Sequence, residues 1–304
     1  MKIIVIGTGA VGGWYAGLLA LAGHEVHAVT PSDYRVIQDR GLILRDRHSE
    51  RIVKLSSATA QPQPVRGCDL IVIAAKSTAN DTLPSLIKPL IEPHTILLTL
   101  QNGMGNVEAF LPIIPADRLV AGLCFVCINR IAPGVIENTL SGYIRMAAAQ
   151  GSQNQAVKTV VDLFSKAGVE VKAEDSLKGI LWKKLCWNIP FNGLAIAAGG
   201  LTTDKILADP ELRSRARKLM LEIQSAAKLD GVPFSDEHLE RQFTVTEGMG
   251  PYRPSSLIDY EQGRAVEVAA LWGEPWRRGQ AVGAMMPELA KLKAEIELRL
   301  KSRG

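Results

Sequence analysis

A lysine and two asparagines recur at four-residue spacing within a strongly apolar stretch of the chain. Lys184, Asn188 and Asn192 would share one face of a helix, because residues four apart lie one turn above each other. Their neighbours are mostly large and apolar, so the helix should be buried and its polar groups need partners. Such a stripe could bind an anionic, oxygen-rich small molecule and give it a proton. It could equally be structural, with the lysine reaching solvent and the amides bonded to neighbouring elements.

A glycine-rich turn follows the apolar residues 3–6, which are typical of a parallel strand buried on both faces. The turn has the G-x-G-x-x-G pattern of dinucleotide-binding proteins and precedes an Ala/Leu-rich helix. In that pattern the first glycine allows the tight turn, the second admits a pyrophosphate, and the third packs helix against strand. We predict that the turn and the start of the helix bind a dinucleotide through Gly7, Thr8, Gly9, Ala10, Val11 and Gly12.

The end of the next predicted strand, residues 25–29, bears on which dinucleotide binds. NAD-binding chains usually place an acid there to hold the ribose 2′-hydroxyl. Here the strand end lacks that acid, while Ser32 and Arg35 could hold a 2′-phosphate. NADP is therefore the favoured cofactor. Asp33 is close enough to keep NAD open, and Arg35 could be an ordinary surface charge.

Composition bounds the class of protein. The chain has 304 residues, of which 47% are apolar, enough for two domains with sizeable cores. Its net charge of +4 is dispersed and only 5% of residues are aromatic, which favours anionic small molecules over nucleic acid. No segment resembles a signal peptide or membrane span, so we expect a cytoplasmic protein without a membrane partner. We expect no metal site, because Cys124 and Cys127 should point to opposite faces of a strand.

The order of predicted elements indicates an α/β protein with two domains. Strands and helices alternate up to residue 174, with a helix over residues 80–91 and strands over residues 134–138 and 143–147 among them. This alternation predicts a Rossmann-type doubly wound sheet with ligands at the carboxyl ends of its strands. Later residues are predicted to be helical over 177–198, 209–229, 236–246, 260–278 and 287–300. We therefore predict an NADP-binding domain over residues 1–174 and an all-helical substrate or catalytic domain over residues 175–304.

Four further residues occupy positions where a ligand could lie. Lys76 and Asn102 directly follow two predicted strands, which points to the nicotinamide end of the cofactor; a solvated lysine and an ordinary Asn-Gly turn are the alternatives. Ser255 precedes a predicted helix as a cap or a ligand. Glu267 is a carboxylate among apolar residues and needs a cationic partner, for which Lys184 is a candidate. A structural ion pair or an exposed position for Glu267 is equally open.

Together these motifs resemble the ketopantoate reductase (2-dehydropantoate 2-reductase) family across essentially the full chain. The resemblance depends on the glycine turn, Lys76, Gln101-Asn102-Gly103-Met104-Gly105, Trp182-x-Lys184-Leu185-x-x-Asn188-x-x-x-Asn192, and Ser255-x-x-x-Asp259 with Glu267 beyond. It implies NADPH-dependent reduction of 2-dehydropantoate to pantoate, in pantothenate synthesis. It also implies a helical C-terminal domain like that of 6-phosphogluconate dehydrogenases.

The resemblance also implies a role for each matching residue. Lys184 matches the catalytic lysine, which donates the proton, and Glu267 matches the acid that supports catalysis. The positions that match substrate-binding residues, or residues close to cofactor and substrate, are Asn188, Asn192, Ser255, Lys76 and Asn102.

Several positions depart from the family pattern. Pro31 stands where the family often has an arginine for the 2′-phosphate, so the NADPH preference depends on Ser32 and Arg35. Gly193 replaces the usual proline after Asn192. Pro190 comes earlier, cannot donate to the Cys186 carbonyl, and should bend the helix.

Two other departures border the expected substrate site. Tyr252 lies where some members have an asparagine, and Ser256 where a methionine is common. A related reductase of another 2-oxo acid is therefore an alternative. A non-catalytic NADP sensor is a second alternative, although it would have no reason to keep the whole polar set. The long C-terminal helices would suit a homodimer.

Overall fold

The computed structural model describes residues 1–303, apart from the side chain of Ser141. The chain divides into two compact units. The first comprises Met1–Asn102 and Asn106–Leu177, and the second comprises Gly103–Gly105 and the chain from Lys178 onward. The first unit thus ends at Leu177, whereas the sequence pattern predicts the domain boundary after residue 174. The short segment Gly103–Gly105 belongs with the second unit.

The first unit is built on a ten-stranded mixed sheet. Its strands are β1 Lys2–Ile6, β2 Glu25–Val29, β3 Leu42–Arg45, β4 Glu50–Val53, β5 Ser57–Thr59, β6 Leu70–Ile73, β7 Ile96–Thr99, β8 Leu119–Ala132, β9 Val135–Ala148 and β10 Glu170–Ala173. Parallel pairing joins β5-β2-β1-β6-β7-β8 in that order, and β9 continues the sheet antiparallel to β8. This is the Rossmann strand order, so the predicted fold is confirmed. Ligands of such sheets bind where the order reverses, which here lies between β1 and β6.

The helices of the first unit are α1 Ala10–Leu21, α2 Tyr34–Arg40, α3 Leu83–Ile87, α4 Asn106–Phe110 and α5 Gln155–Lys166. Helix α1 buries Trp14, Tyr15 and Leu19 in the main core. The predicted helix over residues 80–91 is wrong in length: only α3 is α-helical, and short 3-10 turns flank it. Pro89 explains the early end, because proline has no N–H for an intrahelical bond.

A long hairpin was also missed as a single feature. The predicted strands over residues 134–138 and 143–147 are parts of one fourteen-residue strand, β9, which pairs along β8 with register shifts. The small strands β3, β4 and β5 were not predicted, because runs of three or four residues are too short to show a period.

The second unit is helical, as predicted. Its helices are α6 Leu177–Ala197, α7 Thr203–Ala208, α8 Pro210–Leu229, α9 Asp236–Glu247, α10 Ser255–Glu261, α11 Glu274–Ala281 and α12 Pro287–Lys301. The predicted helix over residues 260–278 is wrong, because the chain leaves α10 and turns at Gly263 with φ +72°. It then makes a π-helical turn, Ala269–Gly273, directly before α11. Within residues 1–303, no helix is long and apolar enough to cross a membrane.

Helix α6 is held by two tryptophans. Trp182 lies within it, and its Nε1 donates to Asp230 Oδ2 at 2.9 Å. Trp272 lies in the π-helical turn, and its Nε1 donates to the Ile189 carbonyl at 3.1 Å. Both indoles are fully buried, so these bonds satisfy N–H groups that would otherwise be costly to bury. The helix runs unbroken through Pro190.

Candidate cofactor and substrate sites

The glycine turn is tied to the ends of two strands. Gly7 has φ +90° and donates its N–H to the Val29 carbonyl at the end of β2, at 2.8 Å. A Cβ on Gly7 would lie 2.6 Å from the Ala75 nitrogen, just beyond β6. A Cβ on Gly12 would collide with the Gly7 carbonyl oxygen. Both positions therefore require glycine for packing within the protein itself.

Gly9 differs from these two glycines. A Cβ built on it would have no atom within 4 Å, so the space beside it is open. Gly9 directly precedes α1, and the N–H groups of Ala10 and Val11 at the helix start have no intrahelical partners. The Thr8 hydroxyl beside them is buried and has no hydrogen-bond partner in the described part of the chain. An open cradle with an orphaned hydroxyl at a helix N-terminus fits the pyrophosphate of a dinucleotide.

Asp33, the acid that follows β2, already accepts hydrogen bonds from within the protein. Asp33 is 1% exposed, and its Oδ1 accepts from Arg130 Nη1 at 2.6 Å while its Oδ2 accepts from the Gly134 N–H at 3.1 Å. Burial would raise the pKa of this carboxyl, but hydrogen bonds from Ser32, Arg130 and Gly134 outweigh burial and hold the pKa below its ordinary value. Because both oxygens are held, Asp33 is a poor acceptor for a ribose hydroxyl.

Ser32 and Arg35 are the two residues predicted to hold a 2′-phosphate. Only Ser32 contacts an arginine from a distant part of the chain. Both are exposed. Arg130 Nη1 also donates to Ser32 Oγ, at 3.2 Å. Arg35 instead lies against Tyr34, with its Nε donating to the phenol oxygen at 3.0 Å. Sequence reasoning missed Arg130, which lies 98 positions from Ser32 in a strand without a motif.

A chain of amides joins the ends of β6 and β7. Gln101 Nε2 donates to the Ala75 carbonyl at 3.0 Å and to Asn80 Oδ1 at 2.7 Å. Asn80 Nδ2 donates to Asn106 Oδ1 at 3.1 Å, and Asn106 Nδ2 donates to the Asn102 carbonyl at 2.9 Å. The network therefore fixes both strand ends that carry the predicted cofactor residues, since Ala75 directly precedes Lys76.

We expect Gln101→Ala to lower both stability and affinity for the cofactor. The change removes the donor of the Ala75 carbonyl and of Asn80 Oδ1, which are both partly buried, and a typical hydrogen bond of this kind contributes about 0.5–1.5 kcal/mol. Urea unfolding and titration with NADPH measure the two effects. Gln155→Ala, at an exposed glutamine of α5, is the matched control. A Gln101 variant that behaves like this control would show that the network does not hold the strand ends.

The lysine–asparagine stripe lies on α6 and is buried, as its pattern predicted. Lys184, Asn188 and Asn192 are 7%, 8% and 2% exposed, whereas the adjacent Lys183 is exposed. The described residues give the Asn188 carboxamide no hydrogen-bond partner. The Asn188 amide is therefore available to a ligand that enters this mostly buried face.

Asn192 meets the start of α10. Its Oδ1 accepts from the Ser256 N–H at 2.9 Å and lies 3.5 Å from Ser255 Oγ. Ser255 is the first residue of α10 and Pro254 is the cap, so the alternative that Ser255 caps the helix is wrong. Ser255 and Asn192 are thus brought together, as a shared ligand site requires.

Gly193 has a packing reason. A Cβ there would lie 2.6 Å from Leu292 Cδ2 and 2.9 Å from Trp272 Nε1, the donor to the Ile189 carbonyl. Glycine at this position, where the family usually has proline, therefore leaves room for the Trp272 indole that bonds the Ile189 carbonyl.

Glu267 lies just before the π-helical turn and is partly buried. Its pairing with Lys184 stays a prediction.

Both units of the chain match models of one protein family. Residues 3–151 match the family model described as ketopantoate reductase PanE/ApbA, and residues 176–298 match that of its C-terminal domain. The 2-dehydropantoate 2-reductase of Nostoc sp. (strain PCC 7120) is 35% identical, covering 95% of this chain and 92% of that protein. The chain belongs to the ketopantoate reductase family.

Solved structures agree with this membership. The crystal structure of 2-dehydropantoate 2-reductase from Geobacter metallireducens GS-15 is 33% identical with a TM-score of 0.93, covering 98% of this chain and 99% of that one. The ternary structure of D-mandelate dehydrogenase with NADH and anilino(oxo)acetate has a TM-score of 0.92 over 99% of both chains. At 21% identity, that likeness shows the fold alone. Membership of the ketopantoate reductase family, and not this likeness, makes the protein an oxidoreductase and implies a nicotinamide cofactor.

Proposed function

We propose that this family member reduces 2-dehydropantoate to pantoate with NADPH. The observation that carries the proposal is the buried stripe on α6, where Lys184 and two asparagines share one face and the Asn188 carboxamide lacks a protein partner. The name of the Nostoc relative supports the substrate. Homodimer formation and a cytoplasmic location stay predictions from the sequence.

Lys184 is the proposed general acid. NADPH, when bound, supplies the hydride that reduces the 2-keto carbon. Negative charge then builds on the ketone oxygen, where a buried ammonium stabilises it more strongly than water would. Lys184 donates its proton to that oxygen, and the product is the hydroxyl group of pantoate. A low-dielectric setting is what makes one cation so effective here.

The neighbouring polar residues orient the substrate. Asn188 and Asn192 offer amide donors and acceptors one and two helical turns from Lys184, suited to a carboxylate and a hydroxyl. Ser255 adds a hydroxyl beside Asn192. Glu267 is the proposed acid that keeps Lys184 ionised and in place. Together these groups hold the 2-oxo acid so that its reaction becomes effectively unimolecular.

The first unit supplies the cofactor site. The open cradle at Thr8 and Gly9 holds the pyrophosphate, and Lys76 and Asn102 lie near the nicotinamide end. NADPH is proposed over NADH because the carboxylate of Asp33 is fully engaged within the protein. A ribose 2′-hydroxyl would find no acid there.

A second candidate substrate is a 2-oxo acid with a larger apolar side chain. Tyr252 stands where some relatives have an asparagine, and its ring lies 6.1 Å from that of Trp187, next to Asn188 along α6. Trp187 Nε1 in turn donates to Thr246 Oγ1 at 2.8 Å, so this aromatic pair is anchored. Such a surface suits an apolar group better than a hydroxyl.

A substrate panel tests the proposal. NADPH is mixed with 2-dehydropantoate, a short unbranched 2-oxo acid and an aromatic 2-oxo acid, and the loss of NADPH absorbance is followed. We expect the highest kcat/KM for 2-dehydropantoate. A higher value for the aromatic acid would favour the second candidate. Tight NADPH binding without turnover of any acid would refute both.

A further inference from the structure

We propose that Arg130 takes the place of the missing arginine at position 31 and selects NADPH by binding its 2′-phosphate. The inference rests on the proposed function for its class of cofactor. It assigns cofactor choice to a residue of the β8–β9 hairpin, far in sequence from the dinucleotide motif.

One hydrogen bond and one exposed side chain locate the 2′-phosphate end of the site. The Gly7 N–H bonds the Val29 carbonyl, so the pyrophosphate cradle lies beside the end of β2. In a Rossmann sheet the adenosine ribose lies at that strand end. Ser32, three residues beyond β2, is exposed there.

Small residues on α1 let the hairpin reach this loop. A Cβ on Gly13 would lie 2.9 Å from the Ile136 side chain in β9, and one on Gly17 would lie 2.6 Å from Leu44 in β3. These glycines allow β9 and β3 to pass close over the helix. The hairpin turn then meets the loop after β2, where the Gly134 N–H bonds Asp33.

Arg130 keeps donors for a ligand. Its side chain is 29% exposed, and only Nη1 is used, for Asp33 and Ser32. Its Nε and Nη2 donate to none of the described residues. A guanidinium fixed at one nitrogen still presents a planar pair of N–H groups, the geometry that binds phosphate oxygens bidentately.

Asp33 has a positioning role in this arrangement. A buried carboxylate holds Arg130 next to Ser32, and the same contact removes the acid from the ribose. One ion pair thus adds phosphate donors and withdraws a hydroxyl acceptor, and both effects favour NADPH over NADH.

The experiment uses a paired variant, because Arg130→Gln alone would leave buried Asp33 without its cation. Asp33→Asn with Arg130→Gln removes both charges and keeps hydrogen-bonding groups. Arg145→Gln with Glu174→Gln is the control, since it neutralises another ion pair of the same unit. Adenosine 2′,5′-bisphosphate and AMP are titrated by calorimetry, which needs no turnover, and melting temperatures verify folding.

We expect the wild type to prefer the bisphosphate, and the Asp33/Arg130 variant to lose that preference by about 10-fold to 100-fold, as loss of hydrogen bonds to a charged group implies. The control pair should keep it. A folded Asp33/Arg130 variant with the wild-type preference would overturn the role of Arg130 and leave the NADPH assignment standing. A wild type without preference would overturn both. Neither outcome depends on which 2-oxo acid is reduced, so failure of the substrate panel is separate.

Discussion

Lys184→Ala should lower kcat by about 100-fold to 10,000-fold, the range by which a positioned general acid accelerates a reaction. The loss should fall on kcat and kcat/KM together, because the charge that Lys184 stabilises exists only in the transition state. Steady-state kinetics with NADPH and 2-dehydropantoate measure it. The affinity for NADPH should stay near that of the wild type, since the proposed phosphate cradle lies in the first unit.

The adjacent lysine provides the control for this substitution. Lys183 has the same chemistry one position earlier on α6, but it is exposed. Lys183→Ala should retain wild-type kcat, because the Lys183 side chain faces solvent and has no proposed role in the reaction. As an exposed substitution it should also change stability by less than about 0.5 kcal/mol. Near-normal turnover of the Lys184 variant, or equal losses in both variants, would remove Lys184 from the mechanism.

Gly9→Ala should weaken NADPH binding by about 10-fold to 100-fold without unfolding the protein. The new methyl group would contact no protein atom, and the φ of Gly9 is negative at −65°, so the position does not need the left-handed backbone that favours glycine. The methyl would instead occupy space needed by the pyrophosphate and separate it from the helix N–H groups, at a cost comparable to a charged hydrogen bond of about 1.5–3 kcal/mol. Fluorescence titration gives the Kd, and the melting temperature reports folding.

Gly12→Ala separates the two roles of glycine in the turn. Its Cβ would collide with the Gly7 carbonyl, so this variant should lose stability even without cofactor. The expected pattern is a normal melting temperature with poor binding for Gly9→Ala, and a lowered melting temperature for Gly12→Ala. Unchanged NADPH affinity in the Gly9 variant would place the pyrophosphate elsewhere.

The parts of the fold that sequence reasoning predicted are those with strong local signals. The G-x-G-x-x-G turn and its flanking apolar strand locate the Rossmann unit, and the four-residue spacing of Lys184, Asn188 and Asn192 identifies a buried helix face. Each is a pattern of residue types close together in sequence, even though Gly7 itself packs against the distant Ala75. Hence neither required knowledge of the tertiary structure.

The missed features depend on distant contacts or on local breaks in a pattern. Arg130 has no motif, and its meaning comes from the hairpin that brings it to Ser32. Gln101 was read only as part of a turn, although it bonds Ala75 and Asn80, which precede it by more than twenty residues. The overlong helix predictions ignored Pro89 and Gly263, whose backbone effects override apolar periodicity.

The two tryptophan bonds on α6 determine the rotation of that helix about its own axis. Successive residues on a helix differ by about 100° in direction, so Lys183 and Lys184 would exchange surroundings if α6 turned by one position. Trp182, a residue of α6, fixes this angle by its bond to Asp230. Trp272, which lies outside α6, fixes it by its bond to the Ile189 carbonyl of the helix. These two indoles thereby select which of two neighbouring lysines is buried and which faces solvent.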